Sequence, residues 1–177
     1  LGTEPSFYVP QLEIPLYPMF SPALLFSFLL LGCVMGLVSV AFIRGLYKLE
    51  DIFDAIPGNY YSRHALGMLC VGIIMYLLMQ QVGHYYVEGV GYSTIMDILG
   101  GAVMSPWFLL MLATLKLLAT CLSLGSGASG GVFSPALFIG AASGQFMSNL
   151  LGHMSIFAPS TVLAISGMAA VAACVVG

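Results

Sequence analysis

From Pro22 to Ile43 the chain runs for 22 residues without a charged side chain. A helix needs roughly 20 such apolar residues to cross the hydrocarbon core of a bilayer. Comparable runs follow. Ala65–Val82 is weakened at its end by Gln80 and Gln81, and Pro106–Leu124 is interrupted by Lys116. Val132–Leu151 is rich in Gly, Ala and Ser, and Thr161–Val176 is short. The chain as a whole is 60% hydrophobic and 6% charged, with a mean hydropathy of +1.04. Soluble domains carry about 25% charged residues. The net charge of -3 comes with no basic cluster, which excludes a nucleic-acid surface. The expected architecture is an all-α polytopic membrane protein, a single domain over residues 1–177. Its helices are expected at about 22–50, 62–83, 93–99, 105–124, 131–152 and 160–176, the last two tilted or broken rather than full spans.

The links differ in character. Residues 1–21 carry Pro5, Pro10, Pro15 and Pro18. Proline breaks a helix interior, so this lead-in is extended or turn-rich. The link at 44–64 holds Arg44, Lys48 and Arg63, three of the four basic residues. Basic residues collect on the cytoplasmic side, which places this link there and the link at 83–105 on the other side. Leu1 is not an initiator methionine, and Gly177 falls inside apolar sequence, so the chain reads as a piece of a longer membrane protein. Cys33, Cys70, Cys121 and Cys174 each stand alone in an apolar run. They read as buried free thiols acting as small hydrophobes, without metal-ligand spacing.

The link from Gly125 to Gly131 stands apart: four of its seven residues are glycine and none is charged. Non-helical backbone at membrane depth is tolerated only where protein or a cavity covers it. A broken-helix site is therefore expected. Pro135 follows in the first turn of the next run, where its missing N–H costs nothing. The unpaired N–H groups of that turn are expected to be those of Gly131, Val132 and Phe133. They carry the partial positive charge of the helix end and can cradle an anion without a buried cation. Bulky replacement of Gly130 or Gly131 is expected to abolish transport, whereas a conservative change at Val132 should matter little, since that residue acts through its backbone.

Other residues carry two readings each. Phe133 lines the anion path or packs at the helix start. Ser129 and Ser134 donate hydroxyls to an anion or, more commonly in such turns, act as local caps. Lys116, deep in its run, supplies electrostatic support to the anion route or is held by carbonyls of the nearby glycine turn. Glu88 and Asp97 belong to an aqueous mouth. His64, His84 and His153, all near segment ends, read as solvated. Gly32 with Gly36 and Gly140 with Gly144 have the spacing that lets helix backbones approach closely, here read as intramolecular packing.

The segment Gly125 to Gly144, GSGASGGVFSPALFIGAASG, resembles the signature region of the CLC family of chloride channels and proton-coupled chloride exchangers. The family's Gly-x-Phe-x-Pro element is present as Gly131-Val132-Phe133-Ser134-Pro135. Gly89-Val90-Gly91-Tyr92-Ser93-Thr94-Ile95 resembles its Gly-x-Gly-Tyr-x-x-Ile segment, and Ile165–Val171 a third segment, in the expected order. The resemblance implies the second inverted repeat of a CLC-type fold. It also implies transport of chloride or a similar small anion along a pathway formed by helix N-termini. The N–H groups of Val132 and Phe133 then coordinate the central anion. A homodimer in a bacterial-type cell membrane is implied as well, with no cofactor, no metal and no catalytic residue. Gly-Ser-Gly-x-Pro is missing, so Ser126 is not the family's anion-binding serine. The gating glutamate motif Gly-x-Glu-Gly-Pro is missing too, which leaves channel and exchanger both open.

Two other readings compete. Gly127-Ala128-Ser129-Gly130 also matches the Gly-x-Ser-Gly of rhomboid intramembrane proteases, but the only later histidine is His153 and no His-x-x-x-Asn lies upstream. The chain would otherwise be a non-conducting, degenerate CLC-like membrane partner.

Overall fold

The computed structural model describes residues 22–101, 104–153 and 160–177. The expected proline-rich lead-in at 1–21 lies outside them. The described residues form six helices and no strand. These are α1 Pro22–Ala55, α2 Tyr60–Val82, α3 Tyr92–Leu99, α4 Pro106–Gly125, α5 Phe133–His153 and α6 Ser160–Val176. Three of them, α1, α2 and α4, are long and apolar enough to cross a membrane.

Helix α1 departs most from expectation. Its 34 residues span roughly 51 Å, against a hydrocarbon core of about 30 Å. Arg44, Lys48, Glu50, Asp51 and Asp54 therefore lie on its last turns and not in a loop. Nothing from Arg44 to Ala55 breaks a helix; Pro57 does, because the residue before a proline is driven out of the α region. Asn59 then restarts the chain, its side chain accepting from the Ser62 N–H at 3.0 Å as the cap of α2. Ser105 does the same for α4, accepting from Phe108 N–H at 3.2 Å, with Pro106 at the first helical position.

The core lies on α5, where every residue from Ala136 to Gln145 is buried. Its closest neighbour is α6. A Cβ on Gly140 would lie 2.6 Å from the Met168 Cα, and one on Gly144 would lie 2.8 Å from the Ala164 Cα. Glycine is what lets these backbones touch. Gly32 and Gly36 differ: a Cβ at either would meet nothing within 4 Å, so that pair does not pack against another helix among the described residues. Helix α1 exposes Leu29 and Leu37 and buries Ser27 and Ser39, whose hydroxyls bond back to the carbonyls of Ala23 and Met35. Apolar residues outside and satisfied hydroxyls inside suit a protein whose solvent is lipid.

Tyr47, Tyr60 and Tyr61 are exposed toward the end of the bundle that carries the basic residues, and Tyr85 and Trp107 toward the other. This is the placement of interfacial aromatic belts. The cysteines correct the sequence reading: Cys121 is buried, whereas Cys33 and Cys174 are exposed and Cys70 half-buried. An apolar run does not reveal which of its faces turns outward.

Candidate functional site

Helix α4 closes on the glycine-rich link itself. Gly127 N–H bonds to Leu124 O at 2.9 Å and Ala128 N–H to Ser123 O at 3.1 Å. This pair of bonds is the Schellman closure, which needs a left-handed residue after the helix; Gly127, at φ 98°, supplies it. Helix α5 begins two residues later than expected, at Phe133, and its first backbone bond runs from Ala136 N–H to Val132 O at 3.0 Å. Gly130 and Gly131 each disfavour helix by about 1 kcal/mol relative to alanine, so the helix starts only beyond them. Pro135 is consequently the third helical residue. Among the described residues, no hydrogen bond takes the backbone N–H of Val132, Phe133 or Ser134. Among the described residues no backbone bond takes the Gly131 N–H either, so the expected donors of Gly131, Val132 and Phe133 are all unbonded, with that of Ser134 beside them.

A cavity of about 250 Å³ opens beside this junction. Lys116, Thr120 and Ser123 of α4 line it on one side, Gly130, Gly131 and Pro135 on another. Lys116 is the one buried charged side chain among the described residues, at 3% exposure. Its Nζ donates to the carbonyls of Val87, at 2.9 Å, and Gly89, at 2.5 Å, and stands 5.2 Å from the centre of the Phe138 ring. The lysine is therefore held by carbonyls, but those of the 83–91 link rather than of the Gly125–Gly131 turn. It ties together α4, α5 and the Gly89–Ile95 segment while lining the cavity that Gly130 and Gly131 share.

Much of the link is exposed. Gly127, Ser129, Gly130, Gly131 and Phe133 are exposed, Phe133 by 54%. Val132 is half-buried against the core, as is Ser134, and neither lines the cavity. A Cβ on Gly130 would come within 3.0 Å of Leu124 Cδ2, whereas one on Gly131 would meet nothing within 4 Å. Within the described residues a side chain at Gly130 therefore has to displace the Leu124 methyl, whereas one at Gly131 displaces nothing. Glu88 and Asp97 are exposed, as a mouth position requires.

His64 is not merely solvated. It stacks on Tyr60 with ring centroids 6.0 Å apart and planes 6° apart, and its Nδ1 lies 3.4 Å from the Ser126 hydroxyl. Tyr60 donates to the Gly127 carbonyl at 2.7 Å. The sequence reading missed this pair. Its only signal was the four-residue spacing on one face of α2, which does not say what the face meets. The protease arrangement does not form: Ser129 precedes α5 and His153 ends it, with a helix of 21 residues, roughly 31 Å, between them. No group of three or more His, Cys, Asp or Glu among the described residues is placed to hold a metal.

The sequence profile described as "Voltage gated chloride channel" matches residues 1–177. The chain is 37% identical over 152 residues to "Chloride channel protein CLC-f" of Arabidopsis thaliana, covering 81% of this chain and 18% of that protein. It is 33% identical over 138 residues to "H(+)/Cl(-) exchange transporter ClcA" of Vibrio vulnificus (strain YJ016), covering 78% and 27%. With the ClcA of Vibrio campbellii (strain ATCC BAA-1116) it shares 32% identity over 179 residues, covering 99% and 36%. The chain thus spans between 18% and 36% of the length of these relatives. An all-helical, membrane-spanning chain with this match along its whole length belongs to the voltage gated chloride channel family, the CLC family.

Proposed function

We propose that this chain forms one wall of a pathway that carries chloride, or a similar small anion, across a membrane. The carrying observation is the α4–α5 junction, where unbonded N–H groups of Val132, Phe133 and Ser134 stand at the start of a 21-residue helix. An anion that leaves water needs replacement dipoles, strong enough to admit it and weak enough to release it. Helix N-termini directed at a midplane anion meet that need in other transporters. Lys116, lining the adjoining cavity, adds positive potential without standing at the loop itself. The exposed Phe133 lines the path, and the missing wall comes from the rest of the protein. The reading extends to a homodimer with one pathway per subunit, in a bacterial-type cell membrane, with the Arg44, Lys48 and Arg63 end in the cytoplasm. Chloride is substrate here, and no cofactor or catalytic residue is required.

The test is chloride flux from liposomes holding the intact parent protein, with and without an imposed proton gradient. Chloride-driven uphill proton movement identifies an exchanger, and flux indifferent to the gradient identifies a channel. Absence of flux under both conditions would overturn the proposal in favour of a non-conducting partner.

A further inference from the structure

We infer that Tyr60 and His64 of α2 are positioning residues for the anion loop, gripping Ser126 and Gly127 and thereby setting where the N–H groups of Val132 and Phe133 point. The inference rests on the reading of that loop as the anion site. Tyr60, His64 and Gly67 are spaced four and three residues apart, so they share one face of α2. All three meet the same two residues. The Tyr60 hydroxyl donates to the Gly127 carbonyl at 2.7 Å, and its Cε2 lies 2.6 Å from where a Cβ on Gly127 would stand. The His64 ring stacks on Tyr60 and sets Nδ1 at 3.4 Å from Ser126 Oγ, which itself donates to Ser123 O at 2.9 Å. A Cβ at Gly67 would strike the Ser126 side chain, so glycine there makes room for it.

General packing does not explain this contact. Only Gly67 and Leu78 of α2 are buried, and Tyr60 itself is 56% exposed. Downstream, the Ala128 N–H is bonded to Ser123 O, so the loop is fastened to α4 along the same stretch that α2 grips. A glycine-rich loop has many accessible backbone conformers. Fastening it from two sides selects one, and interactions preorganised in this way cost less at the moment of binding.

The experiment uses the full-length protein with Tyr60→Phe, His64→Ala and His64→Gln, and Tyr61→Phe as the exposed neighbour control. Two readouts are taken: hydrogen exchange of peptides covering 126–133, and the chloride-to-nitrate permeability ratio in liposomes. Loss of one hydrogen bond corresponds to about a five-fold change. Tyr60→Phe and His64→Ala should speed exchange in 126–133 by about that factor and shift the permeability ratio. His64→Gln, which retains a donor toward Ser126, and Tyr61→Phe should stay near the parent in both. Unchanged exchange in Tyr60→Phe refutes the grip. Faster exchange with an unchanged ratio refutes positioning. A parent protein that moves no anion overturns the transport reading instead, while the exchange readout still decides whether the grip exists.

Discussion

At the scale of single residues, Lys116 carries the sharpest consequence. It is buried, charged, and bonded to the backbone carbonyls of Val87 and Gly89. Lys116→Met should lower stability by about 2 kcal/mol, the range for bonds to a charged group, seen as a lower thermal midpoint in detergent. It should also reduce chloride flux, and Lys116→Arg should recover most of both. Equal midpoints for the parent and Lys116→Met would count against a structural role. The glycine pair separates in the same way. Gly130→Val pushes on Leu124 and should lower flux at least ten-fold, about 1.4 kcal/mol. Val132→Ile should stay within about two-fold, because one hydrogen bond is worth more than that and none is removed. Gly131→Ala, with open space in this chain, is diagnostic for the absent wall: a large loss of flux means that another part of the protein presses on it.

Among the elements, the five apolar runs correspond to α1, α2, α4, α5 and α6, the short segment of the 83–105 link to α3, and α6 spans Ser160–Val176 as expected. The misplaced ends have local causes. Helix α1 continues to Ala55 because charged residues are good helix formers once outside the hydrocarbon, and only Pro57 stops it. Helix α5 starts late because Gly130 and Gly131 resist helix. The α5–α6 contact, made through Gly140, Gly144 and Gly167, holds the core helix in place. Gly140→Leu forces a side chain into the backbone of Gly167 and Met168 and should cost about 1–3 kcal/mol, the usual range for overpacking. Thermal unfolding in detergent checks this, with Gly152→Leu, in open space, as the tolerated comparison.

For the whole bundle, the proposed site is walled by α4 beside the loop. Lys116, Thr120 and Ser123 line the cavity beside the loop, and the exposed Gly127 and Phe133 lie outside that lining. If each subunit of the proposed homodimer completes its own pathway, subunits should fail independently. Joining an intact subunit to a Gly130→Val subunit in one tandem chain should leave about half the parent flux. Flux near zero would instead require a pathway shared between subunits.

The amino-acid sequence alone determined the membrane class, the helix order, the family and the residues of the Gly-x-Phe-x-Pro element. These depend on apolar run length, on breakers, and on a local motif read along the chain. Helix packing set which carbonyls hold Lys116, which cysteines face outward and that Tyr60 and His64 meet Ser126 and Gly127. Residues 64 and 126 are brought together by helix packing over more than sixty positions. Spacing along one helix names a face, but a contact depends on what packs against it.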